Sequence, residues 1–377
     1  MNLDFTETQE ILKKTAREFM ARYYPKSLVR ELEEDAIGFR SDIWKEMAKL
    51  GWLGWIIPEE YDGVGGSFMD TVVLFEEMGR ACFLLPFFST VICTLPLVTA
   101  GSEEQKKEFL PGIASGDTIF SLALTEPSAT YDAEGIATTA TAQGNEYIIN
   151  GAKLFIHDAQ TANYFLCAAR TKIVEGRPED GITLFIVDAK IPGIKITPLQ
   201  TIADDKQCEV IFENVKVTEK YVVGQLHQGF PIIEKLLEYA AMAKCAEMMG
   251  GADWVVENCT SYAVERVQYG KPIGSYGIIQ SYLAEMWAEI GIAKRFTYYA
   301  AWLLNEGLPC SKEVAMAKSW AGDVYRRWTR MGVQIFGGIG TTREHDMGLY
   351  YRRGRQAPLL FGDSDSLREK VAQEMGL

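Results

Sequence analysis

Apolar positions recur at helical spacing from the N-terminus to about Asp117. They switch to short β-rich runs in the middle of the chain and return to helical spacing through to the end. Thr6 followed by Gln9 spells a capping box, and Ile11, Leu12, Ala16, Phe19, Met20 and Tyr23 then follow at helical spacing. Ser41 is a good N-cap for a second helix with Trp44, Met47 and Leu50 as its stripe. Tyr61-Asp-Gly-Val-Gly-Gly66 reads as a glycine-rich turn, after which Asp70 opens a third helix through Val73, Phe75 and Met78. Pro86 breaks the pattern. A fourth helix is expected over Thr90–Ala100, and a fifth, capped by Ser102, over Glu103–Leu110 and ended by Pro111-Gly112.

From Thr118 the period changes. Ile119–Leu124 is too short for a globular helix and suits a buried strand, stopped by Glu126-Pro127, which leaves Thr125 at a strand end before a polar loop. Further strands are predicted at Tyr147–Asn150, Ala152–Ile156, Tyr164–Ala168, Ile182–Val187 and Val210–Val217. Asn150-Gly151 reads as a hairpin turn between the first two of these, and Glu175–Gly181 as a charged hairpin tip. Such spacing suggests a small barrel or sandwich. Helical spacing returns over Ile232–Arg266, Ile278–Glu306, Lys312–Phe336 and Asp365–Met375, with Ala, Leu and Met inward and Lys, Glu and Arg outward, as in a bundle. Helices this long need long neighbours, so self-association across one face is expected. The fold class is thus mainly α with a central β-barrel or sandwich: an N-terminal helical domain (1–116), a β-domain (117–226) and a C-terminal helical bundle (227–377).

Composition narrows the function classes. At 377 residues the chain is long for one core, and 47% hydrophobic with 24% charged residues describes a globular protein. Apolar stretches stop well short of the ~18 residues that span a bilayer. MNLDFTETQE lacks the basic and apolar regions of a signal peptide, so a cytoplasmic protein without membrane insertion is expected. A net charge of −13 argues against nucleic acid as partner. Seven cysteines without a CxxC pair, mostly in apolar runs, indicate a reduced compartment. The three histidines (157, 227, 345) are not spaced for a metal.

Several segments carry candidate chemistry, each beside a plainer reading. Phe336-Gly-Gly-Ile-Gly340 follows a helix where a Rossmann fingerprint would follow a strand, so it reads first as a helix C-cap. Its other reading is close approach of a second molecule to the backbone, with Gln334 one turn earlier. Arg266 ends a long helix, where a cation complements the dipole; the alternative is a guanidinium on a phosphate. Phe155 suits a β-core, and His157 is either a surface histidine or a donor or acid near a ligand. Asp363 and Asp365 read first as a helix N-cap cluster and second as acid–base groups.

Taken in order, Pro58-Glu-Glu-Tyr-Asp-Gly-Val-Gly-Gly66, Leu122-Ala-Leu-Thr-Glu-Pro127, Asn150-Gly-Ala-Lys-Leu-Phe-Ile156, Arg266-Val-Gln-Tyr-Gly-Lys-Pro-Ile273 and Gln334-Ile-Phe-Gly-Gly-Ile-Gly340 give a chain that resembles the acyl-CoA dehydrogenase family along essentially its whole length. The resemblance implies a helical N-terminal domain, a β-domain, a C-terminal four-helix bundle, and tetramers built through that bundle. It also implies FAD held by the β-domain and bundle, with its adenine and pyrophosphate reaching a neighbouring subunit. Leu122, Leu124 and Thr125 match positions beside the isoalloxazine, and Phe155 matches the aromatic at its face, usually Trp. Arg266, Gln268, Tyr269, Gln334 and Gly338 match positions that a neighbour contributes to the FAD tail. The implied reaction removes an α-proton of an acyl-CoA with a carboxylate while the β-hydride goes to the flavin, and electrons pass on to an electron-transfer flavoprotein.

Departures from the pattern fall on the chemistry. Flavin is the electron sink, but the protein must supply a base. Phe361 stands in the usual Glu slot, and the family's alternative slot falls at Ala240 or Ala241. The loop after Glu126-Pro127 usually continues Gly-Ser-Asp and here reads Ala129-Thr-Tyr-Asp132, while His157 replaces an expected Thr. One reading makes the chain the base-less subunit of a heteromeric acyl-CoA dehydrogenase whose partner carries the Glu. A second makes it a homotetrameric enzyme with an unusual base, Asp363 or His157, and with Tyr131 near substrate. A third, from another class, is a flavin-free scaffold or acyl-CoA-binding protein. Small residues at Ala240 and Ala241 would leave room for a bulky or cyclic acyl group.

Overall fold

The computed structural model describes residues 5–377. Helices α1 (Glu7–Tyr23), α2 (Lys26–Glu34), α3 (Ser41–Lys49), α4 (Phe68–Ala81), α5 (Phe87–Ala100) and α6 (Glu103–Ala114) come first. Strands β1 (Phe120–Ala123), β2 (Thr139–Gln143), β3 (Glu146–His157), β4 (Tyr164–Arg170), β5 (Ile182–Asp188), β6 (Ile194–Leu199), β7 (Gln207–Thr218) and β8 (Val222–Val223) follow. Then come α7 (Phe230–Glu265), a ribbon of β9 (Val267–Gln268) and β10 (Lys271–Pro272), and helices α8 (Gly277–Asn305), α9 (Ser311–Phe336), α10 (Met347–Gln356) and α11 (Ser364–Glu374). The chain divides into two compact units. A β-unit comprises residues 31–67 and 84–237, and a helical unit comprises residues up to 30, 68–83 and 238–377.

In the β-unit the strands run β6-β7-β3-β2-β4-β5-β8, with β1 added parallel to β4. β2 pairs with β3 along its length but with β4 only at Thr139↔Arg170, so the sheet turns there. The inner faces enclose Ile149, Ile156, Phe165, Phe185, Val210, Phe212 and Val215. The strand order has two ends, β6 and β8, so the sheet is sandwich-like and the barrel alternative is excluded.

The Asn150-Gly151 hairpin is also corrected: β3 runs straight through both residues, with a register shift on β7 between Ile149 and Gly151. Gly151 is there for space, since a Cβ would lie 2.4 Å from Thr138 Oγ1 and 2.7 Å from its Cα. The actual hairpin turn is Gly144-Asn145, with Gly144 at φ +63° between the paired Gln143 and Glu146. β2 and the exposed edge strand β6, with Pro198, carry too little apolar alternation to be read from sequence.

In the helical unit the capping box is present as expected. Thr6 Oγ1 accepts from Gln9 N–H (3.2 Å), and Gln9 Oε1 accepts from Thr6 N–H (3.0 Å). α4 and α7 meet backbone to backbone. A Cβ on Gly79 would lie 1.9 Å from Glu247 O, and one on Gly250 would lie 1.7 Å from Glu76 O. Beside this contact, buried Glu76 accepts from Lys13 Nζ (2.8 Å), Lys294 Nζ (3.2 Å) and the Tyr298 hydroxyl. Gly250→Val should therefore lower unfolding stability by at least the ~1–3 kcal/mol typical of overpacking. Urea denaturation checks this, and an unchanged midpoint would mean that the helices part without loss.

Other boundaries differ for local reasons. α6 continues through Pro111 because Leu110 and Ile113 are buried on either side of it. α5 starts at Phe87, directly after Pro86, whose fixed φ suits helix entry. The short helices α2 and α10 add to the predicted set, and Leu28, Val29 and Leu32 bury one face of α2. All seven cysteines are buried. Among the described residues no helix is long and apolar enough to cross a membrane, and no cluster of His, Cys, Asp and Glu could hold a metal.

Candidate functional site

In the β-unit, β1 delivers Leu122 and Leu124 to the edge of the sheet, and the chain turns at Thr125. Thr125 Oγ1 donates to Leu154 O (2.8 Å), while Leu154 N–H donates to Thr125 O (2.8 Å). The hydroxyl hydrogen is thus committed, and towards a ligand Thr125 Oγ1 acts as an acceptor. Phe155 follows at φ +60°, where β3 slips register against β7 between Lys153 and Ile156, and the residue is 42% exposed. His157 ends β3, with its carbonyl accepting from Ser121 Oγ (2.5 Å). The sequence-predicted flavin-edge residues Thr125, Phe155 and His157 therefore lie along one meeting of strand ends. Tyr131 sits half-buried in the following loop. Thr90, on α5, carries a buried hydroxyl with no hydrogen-bond partner among the described residues.

Underneath lies an ion pair that sequence reading missed. Lys153 is 0% exposed, and its Nζ donates to Glu126 Oε1 (2.7 Å) and Leu124 O (3.1 Å). Glu126, 4% exposed, also accepts from the backbone N–H of Ala137 (2.9 Å) and Thr138 (3.0 Å). Burial pushes its carboxyl upward, but Lys153 and these N–H groups outweigh that and hold it below the usual carboxylate range. The only sequence signal was a lysine inside the otherwise β-like Ala152–Ile156 run.

In the helical unit, Tyr262 on α7 packs against Phe336 on α9 (ring centroids 4.5 Å apart), which brings the C-terminal ends of these helices together. Arg266 and Gln268 emerge exposed from one end, with Tyr269 95% exposed in the β9–β10 turn. Gln334 and Gly338 emerge exposed from the other. Beside Gln334 is a cleft of about 630 Å³ lined by Arg326, Arg327, Arg330 and Arg355, with Tyr282 and Asp323. In a chain of net charge −13 this is a concentrated cationic lining, and its donors suit phosphate oxygens.

The positions matching the family base hold no carboxylate. Ala240 and Ala241 are buried on α7, and Phe361 sits at φ +58° in the turn before α11. Asp363 caps α11, accepting from Asp365 N–H (2.9 Å) and Ser366 N–H (3.2 Å). Partial burial raises its carboxyl, but the Ser366 hydroxyl and the backbone N–H groups prevail and hold it low. The turn is tied down by Lys318, 1% exposed on α9, whose Nζ donates to Pro358 O (3.0 Å) and Gly362 O (2.9 Å).

Burial pushes the Lys318 ammonium from an ordinary 10.5 down to about 8. Between those values the unfolded chain holds a proton that the folded chain has released, so the contribution of Lys318 to stability rises with pH. The stability difference between wild type and Lys318→Met should accordingly move in favour of wild type from pH 7 to pH 10. Paired denaturation curves check this, and a pH-independent gap would contradict it.

Comparison with known proteins agrees with these observations. Residues 6–117, 121–215 and 227–376 match the models of the acyl-CoA dehydrogenase N-terminal, middle and C-terminal domains. The acryloyl-CoA reductase (NADH) of Anaerotignum propionicum is 31% identical, covering 100% of this chain and 96% of its own. A subunit of the caffeyl-CoA reductase–Etf complex of Acetobacterium woodii is 31% identical, covering 96% of each chain. The structure of butyryl-CoA dehydrogenase from Megasphaera elsdenii superposes with a TM-score of 0.92 at 28% identity, covering 100% of both chains. With every part of the fold matched in order, the chain belongs to the acyl-CoA dehydrogenase family of flavoprotein oxidoreductases.

Proposed function

We propose that this chain is the base-less subunit of a heteromeric acyl-CoA dehydrogenase. In this reading it uses FAD, its partner subunit carries the catalytic Glu, and it donates Arg266, Gln268, Tyr269, Gln334 and Gly338 to the FAD tail in that partner. The single observation that carries the reading is the contrast between two sets of residues. Both base slots hold apolar side chains, whereas each of the donated positions keeps its residue and stands exposed. The cofactor supplies the acceptor for the β-hydride of an acyl-CoA thioester. What this chain supplies is binding: Arg266 and the Gln334 amide for the pyrophosphate.

The Asp363 alternative is disfavoured by its engagement as a helix cap and by a carboxyl held below the usual range, since a base works best with a pKa near the operating pH. The family relative in an Etf complex supports an electron-transfer flavoprotein as the electron acceptor. Co-expression with a Glu-bearing homologue encoded nearby, followed by size-exclusion chromatography and an absorbance spectrum, tests the assembly. The expected result is a mixed tetramer that is yellow from bound flavin. Separate elution of the two chains would overturn it.

A further inference from the structure

One face of α9 concentrates positive charge. Arg326, Arg330 and Gln334 recur at four-residue intervals and so share that face. Along the axis Arg330 stands roughly 6 Å and Arg326 roughly 12 Å from Gln334. Like charges at this spacing destabilise a helix, and an anion between them removes the cost. Arg355 from α10 and Tyr282 from α8 line the same cleft of about 630 Å³.

The carboxylates nearby are engaged elsewhere. Glu289 on α8 accepts from Arg327 Nη1 at both oxygens (2.7 and 2.9 Å) and from the Trp328 indole N–H (2.8 Å), which staples α8 to α9. Asp323, in the cleft lining, accepts from Ser364 Oγ (2.9 Å) and from Arg368. Arg355 donates to a neutral group, the Tyr351 hydroxyl (3.0 Å). Among the described residues Arg326 and Arg330 enter no ion pair. In a chain of net charge −13, the pull of these arginines on an anion is therefore local.

We propose that this cleft binds the diphosphate group of a nucleotide, held by Arg326, Arg330 and Arg355. Planar guanidiniums take phosphate oxygens in pairs. The cleft volume falls within the roughly 300–1,000 Å³ of small-molecule sites, and Tyr282 and Met331 supply apolar surface for a base. A free nucleoside diphosphate and coenzyme A both offer this group. A carboxylate-bearing segment of another chain would also answer the charge, but a concave wall built from three helices favours a small molecule. Arg266, Gln268 and Tyr269 do not line the cleft, and Gln334 is the one member shared with the proposed FAD tail position. The site thus goes beyond the heteromer reading and does not rest on it.

Isothermal titration of the full-length chain with ADP, AMP and coenzyme A, at low and high salt, tests this. ADP should bind more tightly than AMP and more weakly as salt is added. Arg326→Ala and Arg330→Ala should each weaken ADP roughly tenfold or more, as expected for losing a charged hydrogen-bond partner. Both variants should melt with the wild type. Coenzyme A binding at least as tightly as ADP assigns the diphosphate to a thioester carrier; weaker binding assigns it to a free nucleotide. No ADP binding, or binding unchanged in the double variant, overturns the proposal. Displacement of ADP by FAD, or its loss in Arg266→Ala, would make the cleft part of the FAD position and overturns it too. So does a double variant that loses the mixed tetramer when ADP fails to bind, which would give the arginines to a partner's carboxylates. If no mixed tetramer forms at all, the heteromer reading fails and the titration still decides the site.

Discussion

Arg266→Ala should strip flavin from a complex of this chain with a Glu-bearing partner while leaving the chain's own fold untouched. Arg266 is exposed at the end of α7, where its backbone N–H closes the last turn on Tyr262 O (2.8 Å). Its loss therefore does little to stability, as for most surface positions. Against a pyrophosphate, removing one partner of a hydrogen-bonded charge pair typically costs roughly 2–5 kcal/mol, which is about 30-fold to several-thousand-fold in affinity. FAD content and turnover of the mixed complex should fall together, and added FAD should partly restore both. A complex that keeps its flavin would show that Arg266 only complements the helix dipole.

Lys153→Met carries the second large effect, and here the loss is of stability. Glu126 would remain buried with its backbone donors but without its counter-ion, and breaking a buried pair on one side typically costs roughly 3–5 kcal/mol. Because Lys153 also ties Leu124 O, the strand end that presents Thr125 should loosen as well. Glu126→Gln in the same chain removes the stranded charge and keeps an oxygen for Ala137 and Thr138 N–H, so the double variant should recover most of the loss. Thermal melts of the single and double variants decide this. Equal destabilisation in both would mean that the Leu124 contact, not the charge, dominates.

These effects differ in how visible they were beforehand. The capping box at Thr6 and the long helices α7, α8 and α9 were legible to within a few residues, because a strong apolar period leaves little choice of structure. Asn150-Gly151 misled because a glycine that lets β2's lead-in pass close looks, in one dimension, like a glycine that turns a hairpin. The Glu126–Lys153 pair was hidden for a different reason. Its members are 27 residues apart and meet only once the β1 end and β3 are placed side by side. Likewise Gln207 reaches His157 through a register that two shifts along β3 and β7 set, and no local pattern encodes those shifts. The family was legible from the order of motifs. The support beneath them was not.

In the function proposed here, this chain completes a partner's active site and lacks one of its own. This is tested most directly by assaying acyl-CoA dehydrogenation with an artificial electron acceptor in three preparations: this chain alone, a Glu-bearing partner alone, and the two mixed in equal amounts. Turnover should appear only in the mixture and disappear when the partner's Glu is replaced by Gln, while Phe361→Leu in this chain leaves it intact. Full activity from this chain by itself, as a homotetramer, would contradict it.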